Sequence, residues 1–378
     1  MKRREKIACV AGARPNFIKI APIMMELEKH PDLFEPTLVH TGQHYDDKLS
    51  NVFFEQLNIP RPDHHLAVGV GNPAEQTGEL IQRFDKLCLE EKFDRVLLVG
   101  DVTSTLACAI VAAKRLIPTD HVEAGLRSFD RTMPEEINRI VTDSLADTFF
   151  VTEPSGVKNL IEEGHAEKDI HFVGNVMIDT LRIYLNSAMS LEAWKQFRLP
   201  RKGYGVVTLH RPSNVDDPTQ LRQRVALLRE ISRQLPLVFP VHPRTRAHLD
   251  FPSRNGRMQF CEPLGYLEFI GLMEGARVVI TDSGGVQEET TALGIPCLTL
   301  RVNTERPITV EWGTNTLVGD GVEGAGSLIS EILEGKYKKG TQPPLWDGKA
   351  SQRIVAILAE KILRQEKRRR NANSGSDH

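Results

Sequence analysis

Short apolar runs alternate with longer stretches in which apolar residues return every third or fourth position, and this rhythm persists along almost the whole chain. It is the pattern of parallel strands joined by crossover helices. In the first half the strand-like runs are IACVAG (7–12), TLVH (37–40), RVLLVG (95–100), DHVEA (120–124) and DTFFVT (147–152). Between the first two lies NFIKIAPIMMELEKH, where Phe17, Ile20, Met24 and Leu27 fall on one helical face. A second series begins at residue 204: YGVVTL, LVFPV, RVVIT and PCLTLR. The stretch 165–203 has less strand character, with a helical piece around Trp194, and the junction between two domains is expected near Val173–Asp179. The terminal SQRIVAILAEKILRQEKRRR predicts an amphipathic helix with Ile354, Ile357, Leu358 and Ile362 on one side and a cationic end suited to a helix C-terminus. The prediction is therefore an α/β chain of two parallel-sheet domains, 1–172 and 173–351, a terminal helix near 352–370, and a disordered tail, 371–378.

Composition narrows the function classes. A chain of 378 residues with 40% apolar content can build two cores. A net charge of −2 gives no basic field to draw in nucleic acid or a membrane surface. Cys9, Cys88, Cys108, Cys261 and Cys297 are scattered and odd in number, which predicts reduced thiols in a cytoplasmic setting rather than a disulfide framework or zinc site. The basic start MKRREKIACVAG is read as a first strand, because Arg14, Pro15 and Asn16 interrupt any signal-like apolar stretch. No apolar run approaches a membrane span.

In open parallel sheets ligands bind beyond the carboxyl ends of the strands, so the residues just past each apolar run are informative. Arg14 and Lys19 come after the first run, Asp101 comes after RVLLVG, and Glu123 ends DHVEA. In the second half His210-Arg211, His242-Pro243-Arg244 and Asp282-Ser283-Gly284-Gly285 occupy the same positions. Solubility alone would scatter such charges. DSGGVQEET (282–290) is the strongest local motif: a strand end, two glycines and a helix start present free N–H groups suited to a phosphate or diphosphate.

Each of these features also has a structural explanation. Asp282 or Ser283 can be an ordinary N-cap, and so can Asp101. Thr132 and Glu135 have capping-box spacing, and Glu135 can pair with Arg139. Arg306 can be an exposed loop arginine, and His242 can merely satisfy a turn. His210 is less easily dismissed, since a buried strand has no packing need for a terminal histidine. Gly69-Val70-Gly71-Asn72-Pro73-Ala74 matches a dinucleotide fingerprint, but it is preceded only by His64-His65-Leu66 and lacks the acidic residue such a site needs, so no nicotinamide cofactor is expected. The KRRR cluster (367–370) reads as a solvated helix end.

Taken together, GARPNFIK (12–19), TGQHYD (41–46), VGDVTSTLA (99–107), HVEAGLRS (121–128), MPEEINR (133–139), LHRPSN (209–214), PVHPRT (240–245), DSGGVQEE (282–289) and TERP (304–307) resemble the non-hydrolysing UDP-N-acetylglucosamine 2-epimerases. The resemblance implies the glycosyltransferase-B architecture, two Rossmann-like domains facing a central cleft with the terminal helix returning to the first. It implies reversible conversion of UDP-GlcNAc to UDP-ManNAc by anti-elimination of UDP and re-addition through 2-acetamidoglucal, without cofactor or metal. It further implies a cytoplasmic homodimer that supplies cell-surface polysaccharide synthesis. Carried over by motif, Asp101, Glu123, Glu135 and His210 are the catalytic candidates. Arg14, Ser283, Gly284, Gly285 and Arg306 would hold the diphosphate, Glu289 the ribose and Phe269 the uracil, with Lys19 near the sugar–phosphate junction.

Two departures qualify the likeness. Pro212-Ser213-Asn214 stands where many bacterial members carry Arg-Glu-Asn. Tyr45-Asp46 comes directly after Gln43-His44, and an aspartate there would repel a second diphosphate, which speaks against activation by a second UDP-GlcNAc. These leave open a UDP-diacetamido sugar as substrate, whereas the retained Gln287-Glu288-Glu289 and Thr304-Glu305-Arg306-Pro307 favour UDP-GlcNAc. A glycosyltransferase of the same fold, a hydrolysing epimerase and a non-catalytic nucleotide-sugar sensor are the alternatives.

Overall fold

A computed structural model of the protein describes residues 4–42, 57, 59–69, 71–249, 256–319 and 323–374. The chain divides into two compact units, Met1–Thr180 with Leu345–His378, and Leu181–Pro344. The division falls inside the helix Val176–Ser190, a few residues beyond the junction expected from sequence.

Among the described residues the first unit holds a seven-stranded parallel sheet. Its strands are β1 (Glu5–Ala11), β2 (Phe34–His40), β3 (His64–His65), β4 (Arg95–Val99), β5 (Thr119–Val122), β6 (Thr148–Val151) and β7 (Ile170–Phe172), in the order β3-β2-β1-β4-β5-β6-β7. Val10 is in register with Val39 on one side and Leu98 on the other. One face of these strands, Ala8, Val10, Val39, Val96 and Leu98, packs with Leu80, Phe84 and Leu87 of helix Pro73–Glu91 and with Ala107, Val111 and Ala112 of helix Thr103–Lys114. Continuous apolar strands buried on both faces are what a helix-covered parallel sheet requires. The GVGNPA segment opens an ordinary helix, with the Asn72 side chain accepting from Ala74 N at 2.9 Å.

Helix Arg14–Leu27 is buried more widely than one stripe. Beside Phe17, Ile20, Met24 and Leu27, the side chains of Ile18, Ala21 and Ile23 are also buried, and the terminal helix Ala350–Ser374 packs against the same helix. The Asp179 carboxylate caps that terminal helix, accepting from Ala350 N at 3.0 Å and Ser351 N at 2.7 Å. Trp346, fully buried, donates to the Thr152 carbonyl at 3.0 Å. The helix runs through Ser374, so residues 371–374, expected to be disordered, are helical; good helix formers precede them and no breaker intervenes. Residues 375–378 lie outside the described residues.

The second unit repeats the plan. Its strands are β8 (Gly205–Thr208), β9 (Leu237–Pro240), β10 (Met258–Cys261), β11 (Val278–Thr281), β12 (Cys297–Thr299) and β13 (Asn315–Leu317), all parallel in the order β10-β9-β8-β11-β12-β13. Val207, Leu237, Phe239, Ile280 and Leu298 share a core with Leu221, Leu228 and Ile231 of helix Pro218–Gln234 and Ile329 of helix Glu323–Leu333. The α/β class with two Rossmann-like sheets is the one the sequence predicts. Among the described residues no helix is long and apolar enough to cross a membrane.

Candidate functional site

In each sheet the strand order reverses once, between β1 and β4 in the first unit and between β8 and β11 in the second. The crevice outside the carboxyl ends at such a switch point is where an open α/β sheet takes a ligand.

In the first unit, the loop after β1 is tied to the end of β4 by Asn16, which accepts from Ala13 N at 2.9 Å and donates to the Val99 carbonyl at 2.7 Å. One helical turn on, buried Lys19 forms an ion pair with Glu123 at the end of β5. Glu123 has φ +70°, a left-handed conformation that a side-chain-bearing residue adopts at an energetic cost. Lys19 holds Oε2, while Oε1 is buried without a hydrogen-bond partner among the described residues. Gly100, at φ +71°, leaves the space for this pair. A Cβ there would lie 3.1 Å from Lys19 Nζ and Asn16 Nδ2, and 3.5 Å from Glu123 Oε2.

Asp101 is not a helix cap. The N-cap of helix Thr103–Lys114 is Val102, and the Asp101 carboxylate pairs with Arg139 instead. Arg139 is held in turn by buried Glu136 at 2.6 Å. Burial works to raise the Glu136 carboxyl, but the backbone hydrogen bond from Ser128, together with Arg139 and Phe129 N, holds it below the usual range. The capping box expected around Glu135 does not form. Met133 is the N-cap, the Thr132 hydroxyl bonds to Asp130, and Arg139 is engaged by Asp101 and Glu136. The half-buried Glu135 side chain makes no hydrogen bond or ion pair among the described residues.

In the second unit, Asp282 joins the two strand ends at the switch point. Fully buried, it takes His210 Nδ1 at 2.9 Å, His210 N at 3.0 Å, Arg211 N at 2.9 Å and Asn214 Nδ2 at 3.1 Å. Burial pushes its carboxyl up, but the hydrogen bond and charge of His210, with the Arg211 and Asn214 donors, bring it below the ordinary value. The cap expected of Asp282 is thus replaced by a joint between two loops, a role its place in the sequence does not reveal. With Nδ1 committed, the partly exposed His210 ring keeps Nε2 without a partner among the described residues.

Ser283 is the N-cap of helix Gly284–Leu293, yet its side chain makes no capping bond and the first turn carries no acid. Those first N–H groups are thus left for another acceptor. Arg306 is not an exposed loop residue: only 5% exposed, it pairs with Glu305 and, at 2.9 Å, with Glu288. Gly284 makes its seat, since a Cβ there would come within 2.5 Å of Arg306 Nη1. Burial opposes ionisation of Glu305, but Arg306 and Arg301 hold its carboxyl well below the usual range. Gln287 latches the helix to the TERP loop: Oε1 accepts from Thr304 Oγ1 at 2.8 Å and Asn315 Nδ2 at 3.0 Å. His242 does what the turn explanation required, accepting from Arg244 N at 3.2 Å while Arg244 pairs with Asp216.

Helix Tyr266–Glu274 carries Phe269, half-buried, and Tyr266, whose hydroxyl lies 3.4 Å from Glu289 Oε1. Burial first, and neighbouring Glu288 second, push the Glu289 carboxyl from its ordinary 4.5 to about 8. In the folded chain it therefore holds a proton that the unfolded chain releases between those pH values. Its contribution to stability is complete below pH 4.5 and declines as pH rises to about 8, by up to ~1.4 kcal/mol per pH unit. Urea titrations across this range should show that decline in the parent and a flatter profile in Glu289→Gln; equal slopes would refute the assignment.

The structure thus brings Lys19, Asp101 and Glu123 to the first switch point, and His210, Ser283, Gly284, Gly285 and Arg306 to the second. The side chain of Arg14 and residues 43–46 lie outside the described residues.

The family model described as UDP-N-acetylglucosamine 2-epimerase matches residues 25–359. The UDP-N-acetylglucosamine 2-epimerase of Methanocaldococcus jannaschii is 42% identical over 364 residues, covering 93% of this chain and 98% of that protein. The UDP-2,3-diacetamido-2,3-dideoxy-D-glucuronate 2-epimerase of Pseudomonas aeruginosa is 40% identical, covering 94% and 99%. A crystal structure of the M. jannaschii UDP-GlcNAc 2-epimerase in complex with UDP-GlcNAc and UDP is 41% identical with a TM-score of 0.87, covering 94% of this chain and 99% of that one.

Proposed function

Since the chain belongs to the UDP-N-acetylglucosamine 2-epimerase family, we propose that it interconverts UDP-GlcNAc and UDP-ManNAc. The observation that carries this reading is the buried Lys19–Glu123 pair at the first switch point, a carboxylate with one oxygen on an ammonium and the other unpartnered. Such a group is fixed in direction and has a lone pair to receive a proton.

The C2 proton of the sugar is barely acidic, so inversion proceeds by elimination. A carboxylate takes the C2 proton, the C1–O bond breaks, and UDP departs with the bonding pair to leave 2-acetamidoglucal. Re-addition forms the C1–O bond again while C2 receives a proton on its other face. Glu123, Asp101 and Glu135 are the proton-transfer candidates. The uncapped N–H groups of Gly284 and Gly285, the Ser283 hydroxyl and the Arg306 guanidinium suit a diphosphate whose charge grows as the bond breaks. His210, oriented by Asp282, suits the bridging oxygen, Glu289 the ribose and Phe269 the uracil. On this reading no cofactor enters any step.

The 40% identical diacetamido-glucuronate epimerase supports a second reading, in which the sugar bears a 3-acetamido group and a uronic acid. Incubation of each UDP-sugar alone in D₂O, with proton NMR as the readout, separates the two. UDP-GlcNAc is expected to give a UDP-ManNAc anomeric signal and deuterium at C2. Exchange with the diacetamido sugar alone would favour the second reading, free ManNAc would favour a hydrolysing enzyme, and retention of the C2 proton in both would reject epimerisation.

A further inference from the structure

Behind Glu123 lies a buried charge cluster to which the proposed reaction gives no task. His121 on β5 and Asp143 on helix Pro134–Leu145 are both fully buried and joined Nδ1 to Oδ1 at 2.6 Å. His121 Nε2 meets the Gly100 carbonyl at 2.9 Å, so each ring nitrogen faces an oxygen. The second Asp143 oxygen accepts from Gly125 N at 3.0 Å and pairs with Arg127 at 2.7 Å. Arg127 is itself anchored by Glu163 at 2.8 and 2.7 Å. Burial works against the Asp143 charge, but His121 and Arg127 overcome it and keep the carboxyl below its ordinary value.

All three Asp143 contacts fall on the segment that carries Glu123: His121 before it, Gly125 and Arg127 after it. That segment is unfavourable on its own. Glu123 at φ +70° costs energy, and Gly125 at φ +79° is wedged so closely on the Gly156 carbonyl that no Cβ fits. Strain of this kind persists only where surrounding bonds enforce it. Through His121 the same clamp reaches Gly100, the residue that leaves space for the Lys19–Glu123 pair.

We propose that Asp143 is a positioning residue for the reaction: bound to His121, Gly125 N and Arg127, it holds the Glu123 turn in its left-handed form and so aims the free Glu123 oxygen at the substrate. This inference rests on the proton-transfer role proposed for Glu123. Asp143 touches no reacting atom itself.

The test is Asp143→Asn in the full chain. The amide oxygen can still accept from His121, but the amide N–H₂ then opposes Gly125 N–H and Arg127, donor against donor, so the clamp loosens with the shape kept. Misplacement of a reacting group by about 1 Å can cost ~10²-fold. Turnover and C2 deuterium exchange are therefore expected to fall roughly 10- to 100-fold, with KM and the calorimetric UDP affinity unchanged within about twofold. Exchange near the parent rate would overturn the proposal, and so would a loss of UDP affinity as large as the loss of kcat. If Asp143→Asn does not fold, His121→Gln serves instead: it cuts the tie to Gly100, and unaltered turnover in it would equally overturn the clamp. A parent that exchanges no C2 proton removes the proposed function; a parent that exchanges beside an unaffected variant removes only the positioning role.

Discussion

Glu123→Gln is expected to slow C2 proton exchange steeply while leaving UDP binding within about twofold of the parent. The amide keeps an oxygen for the Lys19 ammonium, so the buried lysine retains a partner, but it has no basic oxygen to receive a proton. General acid–base groups contribute about 10²–10⁴-fold to a rate, and the substitution should cost an amount in that range. Neutralising one member of a buried pair also weakens the fold, so the melting temperature should fall as well. Apart from Arg14, the UDP-binding candidates Phe269, Ser283, Gly284, Gly285, Glu289 and Arg306 lie in the other unit, so calorimetry with UDP reports mainly on them. Exchange within a factor of ten of the parent would remove Glu123 from the proton path and leave Asp101 or Glu135 as the base.

The largest stability effect is expected at Asp282. Its carboxylate takes the His210 ring, two backbone N–H groups and the Asn214 amide, all at the meeting of β8 and β11. Alanine removes every one of these acceptors in a place closed to water. Removing one partner from a buried, hydrogen-bonded charge set costs about 3–5 kcal/mol, and Asp282→Ala should lose that much from the unfolding transition of the second unit. Asp282→Asn, which keeps one acceptor oxygen, should lose less. Urea denaturation monitored by tryptophan fluorescence, with Trp194 and Trp312 both in that unit, measures the difference. A loss below about 1 kcal/mol would mean that the loops are held by something other than Asp282.

How far the fold and the site were legible in the sequence depends on how each element announces itself. Strands such as RVLLVG and RVVIT are apolar runs with polar ends, and the structure places β4 and β11 there. The short β3, β7 and β13 did not stand out, because two or three residues carry no period to detect. In the candidate site, Asp101, Glu123, His210 and Ser283, just past strand ends, and Lys19, one helical turn beyond the first, were legible by position. The groups that hold them were not. Asp143 and Arg139 sit within an amphipathic helix where a charged residue ordinarily faces water, and only the folded chain shows them turned inward onto His121 and Asp101. Arg306 is the same case in reverse, since a loop arginine beside proline gives no sequence sign that two glutamates bury it.

The grouping of Leu345–His378 with the first unit bears on how the chain is made. On a ribosome the second unit, Leu181–Pro344, is fully synthesised before the residues that complete the first have emerged. Until then the flank of helix Arg14–Leu27 on which the terminal helix packs has no cover, and the Asp179 carboxylate has no helix to cap. The nascent N-terminal half must wait with an apolar surface open, the kind of exposure that recruits chaperones. Translation has to run past the whole second unit before the first-made sheet is sealed.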